Sequence, residues 1–92
     1  MYNPVYLPSF NREVKKIDKS LKKRVKEEVE LLITDPSKGE ELTGDLQGFQ
    51  SYHIKYNQVQ YRVAYKVDGE DIVFIKFGKR ENFYKELKQI VH

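Results

Sequence analysis

His53, Lys55 and Arg62 fall within twelve residues, "YHIKYNQVQYRV", and Lys76, Lys79, Arg80 and Tyr84 follow before the chain ends. These are the side-chain types that act on a phosphodiester. Arginine forks stabilise the extra charge of a pentavalent phosphorane, while an imidazole, amine or phenol moves protons. Their use depends on whether the fold brings them to one surface.

The spacing predicts that it does. Read at a period of two, Tyr52, Ile54, Tyr56, Val59, Tyr61 and Val63 share one face of a strand pair, and His53, Lys55, Gln60 and Arg62 share the other. A two-residue loop at Asn57-Gln58 sets His53 opposite Arg62 and Ile54 opposite Tyr61, so that every apolar residue meets an apolar one. "DIVFIKF", residues 71–77, reads as a third strand covered on both sides. A three-residue loop at Asp68–Glu70 would pair Tyr65 with Val73, Val63 with Ile75 and Arg62 with Lys76. The second face would then gather His53, Lys55, Arg62 and Lys76, with Lys79 and Arg80 at the strand end. Like charges directly opposite on a sheet repel, and a bound anion relieves that repulsion. The alternative is an ordinary antiparallel sheet with one wet face, where Lys and Arg are common.

Other elements frame this sheet. "YNPVYL" reads as a short strand that Pro4 confines to an edge or a strand start. Pro8-Ser9 marks a helix start with Ser9 as cap, and Phe10, Val14, Ile17 and Leu21 follow at helical spacing. "IDKS" is a break, because Asp18 and Ser20 suit caps better than helix interiors. Leu21, Val25, Val29, Leu32 and Ile33 continue the stripe until Pro36 stops it. Residues 34–48 have loop chemistry throughout. "RENFYKELKQIVH" closes the chain as a helix with Phe83 and Leu87 in the core, and the terminal His92 has no assigned task.

Ninety-two residues allow one domain, 1–92, with one modest core, so a site must be shallow and surface-borne. Twelve aromatics and 39 % hydrophobic residues make the chain globular rather than disordered. Having no cysteine, it contains neither disulfides nor thiolate metal ligands, and its two histidines, His53 and His92, lie far apart in sequence. The expectation is no metal and no cofactor. "MYNPVYLPSF" lacks a secretory pattern and no apolar run reaches a membrane span, which predicts a cytoplasmic protein. The net charge of +3 conceals segregation: residues 11–26 carry eight basic residues against two acids, and residues 27–45 carry seven acids against Lys38. From Leu46 to Val67 there are three basic residues and no acid, so uncompensated positive charge meets aromatics in the C-terminal half.

"LQGFQSYHIKYNQVQYRVAYKVDGEDIVFIKFGKRENFY" resembles the RelE/ParE superfamily of bacterial type II toxin–antitoxin toxins, with its glycine before the hairpin, its "YRV.Y" strand and its "G.R…Y" close. The likeness extends over nearly the whole chain. It implies an α+β fold: a small antiparallel sheet with an N-terminal helical pair packed on one face and a short C-terminal helix. Within the superfamily, RelE-type toxins cut messenger RNA in the ribosomal A site, whereas ParE-type toxins inhibit DNA gyrase without catalysis. His53 and Lys55 match the two alternating basic residues of RelE-like enzymes, Arg62 the second-strand arginine, Arg80 the arginine after the third strand, and Tyr84 the late tyrosine. His53 replaces a lysine of the archetype, and the gap from Arg80 to Tyr84 is shorter than in it.

By this resemblance the chain is a ribosome-dependent messenger RNA endoribonuclease that inhibits translation through metal-independent attack by the RNA's 2′-OH. His53 or Lys55 takes the proton, Arg62 stabilises the phosphorane, Arg80 binds phosphate or assists the leaving oxygen, and Tyr84 stacks on a base or positions a proton. Lys76 and Lys79 contact RNA, and the basic run from Arg12 to Lys26 contacts ribosomal RNA. The implied partners are a cognate antitoxin, messenger RNA and the ribosome. Two other classes remain open: a ParE-like gyrase inhibitor on the same fold, and a plain RNA-binding module.

Overall fold

The computed structural model describes residues 1–91; His92 lies outside the described residues. Five strands form one sheet in the order β1-β5-β4-β3-β2, namely β1 (Asn3–Tyr6), β2 (Glu40–Glu41), β3 (Gln50–Tyr56), β4 (Val59–Asp68) and β5 (Asp71–Lys79). All neighbours are antiparallel except β1, which runs parallel to β5 at the sheet edge that Pro4 requires. Helices α1 (Pro8–Lys15) and α2 (Lys19–Thr34) cover one face, and α3 (Phe83–Val91) lies on the other.

The helical stripe is where its period places it. Leu21, Val25, Val29, Leu32 and Ile33 of α2 are buried with Phe10 of α1 against Ile54, Val63, Tyr65, Ile72, Phe74 and Phe77 of the sheet. Asp18 ends the first helix and caps the second, accepting a hydrogen bond from the Leu21 backbone N–H at 2.9 Å. Ser9 does not act as a cap. Leu7 occupies the cap position of α1, and the Ser9 hydroxyl donates instead to the Ile75 carbonyl in β5.

Ile75 stands where β5 carries one extra residue. Gly69 adopts a positive φ of 62° in a two-residue loop, so Asp68 pairs with Asp71 and Tyr65 with Phe74, in place of the expected three-residue loop and the pairing of Tyr65 with Val73. The pairing then shifts: Ala64 faces Lys76, Val63 faces Phe77 and Arg62 faces Gly78. Ile75 has no partner in either neighbouring strand and forms a β-bulge. Arg62 therefore opposes Gly78, where alternation had placed Lys76. The loop region also contains more order than its composition indicated, because Glu40 and Glu41 pair with Ser51 and Gln50 as a short edge strand. The Tyr65 phenol fixes that segment by donating to the Pro36 carbonyl and accepting from the Gly39 N–H.

Candidate functional site

The β3–β4 hairpin has the register its alternation dictates, with His53 opposite Arg62, Ile54 opposite Tyr61 and Lys55 opposite Gln60. Its two-residue turn places Asn57 and Gln58 at φ 48° and 66°, the left-handed pair that follows the strand twist. His53, Lys55, Gln60 and Arg62 thus share one face.

Helix α3 divides that face. Phe83 and Leu87 are fully buried against Ala64, Ile75 and Leu46, and so cover the end of the face nearest β5. Lys76 belongs to this covered end. It is 6 % exposed, its ammonium lies 3.0 Å from a Glu86 carboxylate oxygen, and it sits over the Phe83 ring. The grouping of Lys76 with the open basic residues is therefore corrected, since an ion pair with α3 holds it under the helix.

The open end keeps its character. A cleft of about 180 Å³ is lined by Lys38, Glu40, Ser51, Tyr52, His53 and Arg62. The Arg62 guanidinium lies 5.5 Å from the Tyr84 ring centroid, and the Tyr84 hydroxyl donates to Ser51 Oγ at 3.3 Å. The Nε of Arg62 is buried without a hydrogen-bond partner among the described residues. The imidazole Nε2 of His53 meets the Gln60 side-chain oxygen. Lys79 and Arg80 are exposed at the end of β5, and the Arg80 backbone N–H donates to the Gln60 carbonyl at 3.0 Å, anchoring the Arg80 segment beside the start of β4.

Arg62 and Tyr84, 22 positions apart in sequence, thus meet by direct contact, and His53 joins Arg62 across the ladder. Glu40 is what sequence reasoning missed. Alternation showed no acid on this face, but β2 pairs Glu40 with Ser51 and brings a carboxylate to the cleft. Its signal was a glutamate pair beside Gly39, too short a segment for a period-two pattern to register.

Behind the cleft, Tyr52 donates to Glu28 at 2.7 Å, and Arg24 holds the same carboxylate at 2.9 Å. The hydrogen bond to Glu28, followed by burial, pushes the Tyr52 phenol up to about 12. Burial raises the Glu28 carboxyl, but the bonds from Tyr52 and Arg24 outweigh it and hold the group below its usual value. This network fastens β3 to α2.

Among the described residues, no three His, Cys, Asp or Glu side chains cluster to hold a metal ion, and no helix is long and apolar enough to cross a membrane.

A family model described as the ParE-like toxin of type II bacterial toxin–antitoxin systems matches residues 5–88. No curated protein sequence matches the chain. Among solved structures, it is similar to a chain of the toxin–antitoxin complex RelBE2 from Mycobacterium tuberculosis, with 22 % identity and a TM-score of 0.73 over 86 % of this chain and 98 % of that one. A mutant of the E. coli toxin RelE in the free state is 20 % identical, with a TM-score of 0.71 over 98 % and 94 % of the two chains. The intact E. coli RelBE toxin–antitoxin complex gives 21 %, 0.67, 88 % and 99 % for the same quantities. These likenesses establish a shared fold, a mostly antiparallel sheet between a helical pair and a C-terminal helix. With most of its length matched by the family model, the chain belongs to the ParE-like toxins of type II bacterial toxin–antitoxin systems, within the RelE/ParE superfamily.

Proposed function

We propose that this toxin is a ribosome-dependent endoribonuclease of the RelE kind, cutting messenger RNA in the A site and thereby stopping translation in the cytoplasm. The observation that carries this reading is the open hairpin face, where His53 stands opposite Arg62 and Arg62 is held against Tyr84. A proton acceptor and a guanidinium in one shallow cleft, with an aromatic ring held against the guanidinium, suit RNA self-cleavage.

In the proposed reaction, the ribose O2′ attacks the adjacent phosphorus. The O2′–P bond forms as the P–O5′ bond breaks, and the leaving O5′ takes a proton from solvent, leaving a 2′,3′-cyclic phosphate and a 5′-hydroxyl. His53 or Lys55 takes the O2′ proton, and Glu40 at the cleft wall is a second acceptor within the same lining. Arg62 stabilises the doubly charged phosphorane through its guanidinium, which offers a fork of donors to phosphate oxygens. Arg80 neutralises phosphate or the leaving oxygen, Lys79 adds backbone affinity, and Tyr84 stacks on a base while bracing Arg62. Lys76 has no part in RNA contact on this reading, because Glu86 occupies its ammonium.

The similar RelBE toxin–antitoxin complexes support a cognate antitoxin as partner. The basic run from Arg12 to Lys26 would meet ribosomal RNA.

The test is primer extension on a defined messenger in a purified translation system, comparing wild type with Arg62→Ala and Arg80→Ala. Cuts at A-site codons that need ribosomes and vanish in both variants are expected. The second reading, a non-enzymatic gyrase inhibitor, is favoured by the ParE-like description of the matched family. Toxicity without RNA cuts, unchanged by substitution at His53, Lys55 or Arg62, would select it.

A further inference from the structure

The cleavage chemistry uses His53, Lys55 and Arg62 and gives no task to Gln60, the fourth side chain of the same hairpin face. Gln60 stands directly across from Lys55 and diagonally across from His53, and its side-chain Oε1 meets the His53 Nε2. Its backbone is fixed on two sides, by the ladder to β3 and by the bond its carbonyl accepts from the Arg80 N–H at 3.0 Å. The amide is therefore delivered to the imidazole by a rigid strand and not by a loop.

An amide oxygen only accepts, so the contact requires a proton on Nε2. In a neutral imidazole this leaves the lone pair on Nδ1. We propose that Gln60 is a positioning residue that fixes the tautomer and ring plane of His53, so that Nδ1 is the nitrogen presented to the 2′-hydroxyl. The catalytic part of this inference rests on the endoribonuclease reading above. An exposed histidine on a strand otherwise exchanges rotamers within nanoseconds, and a base that is misaimed for most of that time abstracts its proton less often. Gln60 removes that freedom on the side away from the substrate.

The experiment joins a spectroscopic and a kinetic readout. The sequence has two histidines, so in a His92→Gln background every imidazole signal belongs to His53. With 15N-labelled protein, the expected neutral ring is protonated at Nε2 and gives an N–H signal protected from solvent exchange. Gln60→Leu removes the acceptor and should lose that signal, whereas Gln60→Glu keeps an acceptor and should retain it. A dispersed amide spectrum shows that each variant is folded. In the translation system, Gln60→Leu should lower kcat about tenfold while leaving KM for programmed ribosomes unchanged. A wild-type ring protonated at Nδ1, or a Gln60→Leu variant with the N–H signal and the rate both intact, overturns the proposal. Wild type that shows the expected signals yet cuts no RNA would overturn the endoribonuclease reading and uphold the Gln60 contact.

Discussion

Arg62 of β4 and Tyr84 of α3 form a cation–aromatic pair, with the guanidinium 5.5 Å from the ring centroid, while the Tyr84 hydroxyl donates to Ser51 of β3. One phenol therefore joins the C-terminal helix to both strands of the basic hairpin. Tyr84→Phe keeps the ring and loses a long hydrogen bond, so its cleavage rate should stay within about twofold of wild type. Tyr84→Ala removes the brace on Arg62, and a fall of about 2- to 30-fold is expected, given roughly 0.5–2 kcal/mol for such a pair. Primer extension on programmed ribosomes separates the two. Equal losses in both variants would mean that the hydroxyl itself moves a proton.

The Lys76–Glu86 pair is lopsided, which makes its two halves unequal under mutation. Lys76 is buried, whereas the Glu86 side chain is 55 % exposed. Removing Glu86 strands an ammonium under α3, and Glu86→Ala should cost about 1–2 kcal/mol, below the range for fully buried pairs because solvent reaches the carboxylate side. Lys76→Met leaves only an exposed carboxylate and should lie within about 1 kcal/mol of wild type. Urea denaturation of both variants checks the order. Lys76→Met should also retain RNA cleavage, which Lys55→Ala should not.

The Tyr52–Glu28 bond has a pH window that follows from its two ends. Glu28 is held below its usual value, so its contribution is present above the ordinary carboxylate range near 4.3 and is lost as pH falls through the depressed value. Tyr52 is raised to about 12, so its contribution is complete below the ordinary phenol value near 10 and is lost as pH rises towards 12. Tyr52→Phe should therefore destabilise by about 1 kcal/mol at neutral pH, and the difference from wild type should shrink in acid once Glu28 is protonated. Thermal melts of the two proteins at several pH values test this. A difference that is constant in acid would show that the phenol's packing, and not its hydrogen bond, is what matters.

Gln58 occupies the second position of the hairpin turn at φ 66°, where a residue with a Cβ is disfavoured by about 1 kcal/mol. Gln58→Gly should stabilise the protein by about 0.5–1 kcal/mol, measured as a shift in urea midpoint with an unchanged slope. A loss of stability would place the Gln58 side chain in a contact worth more than the turn strain.

How much of this was legible depended on whether a signal was local. The hairpin register was, because Ile54, Tyr61 and Val63 alternate cleanly with His53, Lys55 and Arg62, and a turn centred on Asn57-Gln58 keeps both patterns in phase. The α2 stripe and the Asp18 cap were legible for the same reason. The bulge at Ile75 was not: "IVFIKF" is apolar enough to suit either parity, and the deciding fact is that Lys76 pairs with Glu86 once α3 docks. Glu40 was hidden because a two-residue strand carries no periodicity of its own. Ser9 was given the wrong task because its partner, the Ile75 carbonyl in the bulged part of β5, is 66 positions away.

The extra residue at Ile75 also acts as a phase boundary along β5. Before it, Ile72 and Phe74 point toward the helical pair and Val73 away from it; beyond it, Phe77 points toward the pair and Lys76 away. An uninterrupted strand would aim an ammonium into the core beneath the helical pair and the Phe77 ring to the opposite face, where α3 packs. A single deletion at this position would thus exchange inside for outside over the whole stretch leading to Arg80, so the length of this strand is as much a part of the site as any side chain on it.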